Sequence, residues 1–142
     1  MIYIGSDHAG FDLKQAIRKH LEEQQNKVVD LGVFKAEPPA DYPDIAQEVA
    51  EKVGENKGSF GILVCGTGIG MCMAANKIKG IRAAVCESAQ TAEMSRKHND
   101  ANMLCLGGRV REPKTALAMV DIFTRTKFEG DERHVRRVAK IG

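Results

Sequence analysis

Residues 60–70 read Phe60-Gly61-Ile62-Leu63-Val64-Cys65-Gly66-Thr67-Gly68-Ile69-Gly70, and the two halves of the stretch obey different rules. Phe60 to Val64 is short and almost continuously apolar, the pattern of a strand covered on both faces. Cys65 to Gly70 holds three glycines in five residues, so the backbone can turn tightly and aim several N–H groups at one point. Ile69, Met71, Cys72, Met73, Ala74, Ala75 and Ile78 follow with almost no polar face. Strand, turn and helix form a βα unit whose turn is a nest for phosphate or for an oxyanion formed during reaction.

The same alternation runs outward in both directions. Ile2-Tyr3-Ile4, Val28-Val29, Ala83-Ala84-Val85 and Met103-Leu104-Cys105-Leu106 are further apolar runs. Between them Leu13, Ile17 and Leu21 recur at helical spacing, as do Ile45, Val49 and Val53 after Pro43. Pro113 opens another helix, with Ala116, Val120 and Phe123 on one face. The spacing leaves room for a crossover helix each time. These units predict an α/β fold, a three-layer α/β/α sandwich around a doubly wound, Rossmann-like, five-stranded parallel sheet. Residues 1–142 are expected to form a single domain, and residues 32–42, with Pro38-Pro39, are its one long loop. Residues 128–142 are expected to form a basic, helical C-terminal arm, which sets Arg133 and Arg137 on one face. The helix after Gly70, apolar all round, is expected to bury itself against a second subunit.

Composition excludes several classes of function. Lys and Arg number 21 against 19 Asp and Glu, a net charge of +2, so nothing draws the chain to nucleic acid or to a membrane surface. No apolar run reaches the ~18 residues of a membrane span. Met1-Ile2-Tyr3-Ile4-Gly5-Ser6-Asp7 lacks the basic start of an export signal, and a cytoplasmic location is expected. Cys65, Cys72, Cys86 and Cys105 form no C-x-x-C pair, and no two His stand at metal-ligand spacing. Neither disulfide, metal nor cofactor is expected.

Ligands of open α/β sheets bind beyond the carboxyl ends of the strands. Those ends carry Asp7, His8, Ala9 and Gly10; Cys65 to Gly70; Glu87 and Ser88; and Gly107, Gly108 and Arg109. Cys65 directly precedes a helix start, where a thiol ionises more easily, and is a candidate base or nucleophile. Cys72 and Cys86 read as core residues and His20 as solvent-facing. His98-Asn99-Asp100 ends a helix, either as a cap or as a site. His134 lies in the basic tail with Arg133 and Arg137, whose guanidinium forks suit phosphate oxygens. Gly66-x-Gly68 with Glu87 about 20 residues on matches half of a dinucleotide fingerprint, but Met71 stands at the third glycine position. No Lys-Ser/Thr closes the glycine run, so a P-loop is excluded. A thiolate base, an oxyanion nest, an imidazole and an arginine cluster are the parts for metal-free proton abstraction beside a sugar carbonyl.

Six motifs resemble one family in order: Gly5-Ser6-Asp7-His8-Ala9-Gly10-Phe11, Cys65-Gly66-Thr67-Gly68-Ile69-Gly70, Ala74-Ala75-Asn76-Lys77, Gly80-Ile81-Arg82-Ala83, His98-Asn99-Asp100-Ala101-Asn102 and Arg133-His134-x-x-Arg137-Val138. The chain is similar over residues 2 to 141 to ribose-5-phosphate isomerase type B, a family that includes allose-6-phosphate and galactose-6-phosphate isomerases. The resemblance implies Cys65 as base, Thr67 assisting it, and the backbone of Gly66, Gly68, Ile69 and Gly70 as anion hole. It implies His98 in ring opening with Asn99 beside it, Asp7 on sugar hydroxyls, and Tyr42 bordering the site. His8, Arg109, Arg133 and Arg137 are implied around phosphate, with Asp131 and Glu132 as local competitors for Arg133. It implies a homodimer or tetramer with sites at the subunit interface. The sequence supports the same arrangement independently. A helix leaving the carboxyl edge of the sheet ends at the other edge, which puts His98 ~15–20 Å from Cys65 of its own chain. A phosphate- or nucleotide-binding module without catalysis, and a dehydrogenase, are the other readings; a binding module has no use for a thiol at the nest.

Overall fold

The computed structural model describes residues 1–109 and 112–142. Its elements alternate as β1 (Ile2–Ser6), α1 (Phe11–Glu23), β2 (Val28–Asp30), α2 (Tyr42–Glu55), β3 (Phe60–Cys65), α3 (Ile69–Ala75), β4 (Ala83–Val85), α4 (Ala89–Asn99), β5 (Met103–Gly107), α5 (Pro113–Arg125) and α6 (Glu132–Ile141). All strand pairings are parallel, in the order β2-β1-β3-β5-β4. The three central strands are the continuously apolar ones, and the shorter β2 and β4 take the half-buried edges. The five-stranded α/β architecture predicted from the sequence is the one found. No helix is long and apolar enough to cross a membrane among the described residues.

Alternate residues of the strands serve two cores. Ile4, Ile62, Val64, Leu104 and Leu106 face α1, α4 and α5, where Ile17, Leu21, Met119 and Phe123 are fully buried. Tyr3, Leu63, Cys65, Met103 and Cys105 face α2 and α3, against Val49, Ala50, Met71 and Ala75. Period-two burial in the strands therefore decides that Cys65 and Cys105 share one face. His20 is half-buried and bonds Asp121 Oδ1 at 2.8 Å, tying α1 to α5. It is a packing contact and does not face solvent as the charges around it suggested.

The strand order reverses between β1 and β3. A crevice therefore opens between the carboxyl ends of these two neighbours. One wall is the loop after β2, which buries Lys14 beneath it. The Lys14 ammonium contacts Asp30 Oδ1 at 2.8 Å and also donates to the Val33 carbonyl. Gly32 and Val33 in turn bond the backbone of Ser6.

Candidate active site

The side chains at the crevice come from four separate pieces of chain. Asp7 Oδ1 accepts the Gly10 N–H at 3.0 Å, which fixes the carboxylate at the mouth of β1. His8 Nδ1 accepts the Ala40 N–H at 3.2 Å. In the neutral ring this places the proton on Nε2. Tyr42 opens α2, and its ring lies 2.5 Å from where a Cβ on Gly70 would stand. The Arg109 guanidinium lies over Gly66, 3.5 Å from the corresponding Cβ position.

Cys65 ends β3 paired with Gly107 of β5. Its Sγ accepts the Gly68 N–H at 3.1 Å, a bond that strengthens when the sulfur is ionised. Thr67 Oγ1 accepts the Ile69 N–H at 3.2 Å. The loop thus uses two of its N–H groups, those of Gly68 and Ile69, on its own side chains. Gly68 makes this geometry possible: its φ is +81°, and a Cβ there would stand 2.9 Å from the backbone of Leu106. Asp7, Tyr42, Cys65, Thr67, Gly70 and Met73 line a cavity of about 420 Å³.

The other predicted residues lie at the opposite edge. Ser88 and Thr91 exchange capping bonds at the start of α4, beside the carboxyl end of β4. Over its 11 residues the helix climbs ~16 Å back to the amino edge. There Asp100, at φ +46°, stops it. Arg96 Nη1 holds Asp100 Oδ1 at 2.9 Å and Arg82 Nη2 holds Oδ2 at 3.2 Å. Asp100 is therefore the helix stop, and His98 and Asn99 are left in the last turn. The His98 ring stacks on His134 of α6, centroids 4.5 Å apart and planes 13° from parallel. Arg133 and Arg137 lie on the same helix as His134, and both are exposed. Among the described residues neither is paired, and Asp131 and Glu132 do not hold them.

Two apolar faces near these half-sites are uncovered. On α3, Met71 and Ala75 are buried while Ile69 and Met73 are exposed, so the helix is not enclosed by its own chain. On α6, Val135 and Ile141 are exposed and His134 faces inward. His134, placed by the sequence only within a basic tail, is the residue that docks α6 against α4.

Cys72 is half-buried, outside the core reading given to it. A hydrogen bond from Cys105 brings its thiol down to about 7, against burial, and the Val85 backbone adds to the lowering. The Ala83 carbonyl accepts from Cys72 at 3.3 Å and favours the thiol form, so the Cys105 bond carries the net direction. Cys105 is pushed up in return by the same bond and by complete burial.

The sequence profile of a family described as ribose/galactose isomerase matches residues 2–141. A probable ribose-5-phosphate isomerase B of Mycoplasma pneumoniae is 50% identical over 140 residues, covering 99% of this chain and 91% of that protein. The structure of Clostridium thermocellum ribose-5-phosphate isomerase B superposes with a TM-score of 0.93 at 49% identity, over 99% of this chain and 94% of that one. The Mycoplasma genitalium ribose-5-phosphate isomerase B, solved with bound ribulose 5-phosphate, gives 0.95 at 48% identity, over 99% and 92%.

Proposed function

The chain belongs to the ribose/galactose isomerase family, and on that premise we propose that it interconverts ribose 5-phosphate and ribulose 5-phosphate through a cis-enediolate. One observation carries the assignment of the base. Cys65 Sγ lies at the mouth of the switch-point crevice, held by a loop N–H and facing the cavity that Asp7, Tyr42 and Thr67 share. The thiolate takes the C2 proton of the open-chain aldose. The loop from Gly66 to Gly70 stabilises the enediolate, with Thr67 beside the base. The same proton returns to C1 while the hydroxyl proton of C2 passes to the oxygen on C1, which leaves the ketose.

His98 opens the furanose ring, and Asn99 contacts the sugar beside it. Asp7 binds hydroxyls and Tyr42 borders them. His8 and Arg109 from one half-site meet Arg133 and Arg137 from the other around the phosphate. One chain cannot join these halves, because α4 carries His98 away from its own Cys65. The functional unit is therefore at least a homodimer, with each site built across the interface. The exposed faces of α3 and α6 are the surfaces available to form it. Residues 1–142 act as one isomerase domain with 128–142 as its arm, in the cytoplasm and without nucleic acid or membrane.

The test compares ribose 5-phosphate, allose 6-phosphate and galactose 6-phosphate by kcat/KM, with wild type and Cys65→Ala. Ribose 5-phosphate is expected to lead, and Cys65→Ala to lose ~10²–10⁴ in rate with its circular dichroism unchanged. A larger kcat/KM on either hexose phosphate overturns the substrate, and near-normal turnover by Cys65→Ala overturns the base.

A further inference from the structure

His134 is 6% exposed, and its Nε2 is buried with no hydrogen-bond partner. A buried polar atom left unpaired is costly, and native chains rarely carry one. The same imidazole belongs to a group of metal-type donors. His98 lies parallel to it. Glu129 arrives from the loop before α6, anchored by its own N–H to the Lys97 carbonyl at 3.2 Å. One donor atom from each of His98, Glu129 and His134 lies within 4.8 Å of the other two.

We propose that His98, Glu129 and His134 bind a divalent ion of the zinc class at the junction of α4 and α6. Two imidazoles and one carboxylate suit Zn²⁺ or Co²⁺; Mg²⁺ and Ca²⁺ prefer oxygen donors alone. Three protein ligands leave a fourth position for water, as in open zinc sites. Bonds of ~2.0–2.1 Å require donors ~3.3 Å apart in tetrahedral geometry. The Glu129 side chain is exposed and can close most of that gap. The two rings must tilt out of their parallel stack, because their lone pairs lie in the ring planes. Lys97 is the competing cation: it bonds Glu93 at 2.6 Å and also draws on Glu129. The donors come from three separate elements, which is why the sequence reading expects no metal site.

The effect on catalysis rests on the role given to His98 above. An imidazole whose lone pair is held by a metal has no basic nitrogen left to take up a proton, so the ion acts as an inhibitor that chelators reverse.

Metal-stripped full-length protein is titrated with Co²⁺, followed by visible absorption, and with Zn²⁺, followed by calorimetry. The wild type is expected to bind one ion per chain with tetrahedral Co²⁺ bands. An outer-shell partner alone is worth ~10–100-fold in affinity, so His134→Ala and Glu129→Gln should each weaken binding by ~10-fold or more. His134→Phe keeps the stacked ring without a donor and should behave like His134→Ala. Equal affinity in wild type and His134→Phe overturns the site. So does the absence of binding, or a thiolate charge-transfer band that disappears in Cys72→Ala. Zn²⁺ should inhibit the wild type at least ~10-fold more strongly than Glu129→Gln. Tight, His134-dependent binding without inhibition upholds the site and overturns the role of His98.

Discussion

Cys65 and His98 stand at opposite edges of one sheet. Cys65 closes β3 at the carboxyl edge, in register with Gly107. His98 lies in the last turn of α4, which Asp100 stops beside Arg82 at the amino edge. No rotamer change spans the length of a strand, so a reaction needing both residues needs two chains.

Mixing Cys65→Ala with His98→Asn, each impaired in the aldose-to-ketose direction, should therefore restore activity in that direction. Random reassortment of a twofold dimer puts one intact site in each mixed dimer, or about a quarter of wild-type activity overall. The measurement is turnover after denaturation and joint refolding, against each variant refolded alone. A mixture no more active than its parts would place both residues in a single chain's reaction. His98→Asn alone should show a forward rate that stops rising with enzyme concentration, because spontaneous ring opening becomes limiting. The ketose-to-aldose direction should keep rising.

The phosphate prediction separates two neighbouring arginines. Arg133 and Arg137 share a helix face, whereas Arg136 points ~100° away. Charge-assisted hydrogen bonds of ~1.5–3 kcal/mol imply that Arg137→Ala lowers kcat/KM by ~10-fold or more. Binding energy on the non-reacting phosphate should appear in kcat as well as KM. Arg136→Ala should change little. Inorganic phosphate should inhibit Arg137→Ala less than wild type. Equal phosphate inhibition of both would move the phosphate site elsewhere.

Two loop glycines should respond differently to alanine. Gly68→Ala places a Cβ at positive φ and 2.9 Å from rigid Leu106 backbone. Strained backbone of this kind costs ~1–3 kcal/mol, so both Tm and turnover should fall. For Gly70→Ala the three atoms nearest the new Cβ all belong to the Tyr42 side chain, which is exposed and can swing out. Its Tm should stay close to wild type while KM for the sugar phosphate rises. An unchanged KM would remove Tyr42 from the site.

Cys72 should be the pH-sensitive thiol. With its thiol at about 7, iodoacetamide labelling of Cys72, mapped by mass spectrometry, should rise through that pH. Cys105→Ala removes the donor and should move the midpoint up. The folded value lies below the unfolded one of 9.0. Ionisation of Cys72 therefore favours the folded chain fully above the ordinary thiol range, and that contribution is lost as pH falls through about 7. A labelling midpoint at the ordinary thiol value in wild type would discard the Cys105 bond.

The sequence by itself determined the elements and their alternation. Burial on both faces demands continuous apolar runs, and helical burial demands the spacing of Leu13, Ile17 and Leu21. Both patterns are local and survive in one dimension. It also determined the glycine turn, because positive φ at Gly68 and close backbone approach leave their mark in residue type. What only the tertiary structure decided was which ends meet. The order β2-β1-β3-β5-β4 is a matter of pairing between distant segments, and no local pattern encodes it. That order sets Asp7 beside Cys65 and places His8 where Ala40 fixes its tautomer. The docking of α6 is the clearest case. His134, which the sequence placed only within a basic arm, turns inward onto His98 while Val135 and Ile141 stay exposed. An amphipathic helix announces that it has an apolar face, but the surface that face meets belongs to other parts of the fold or to a second chain.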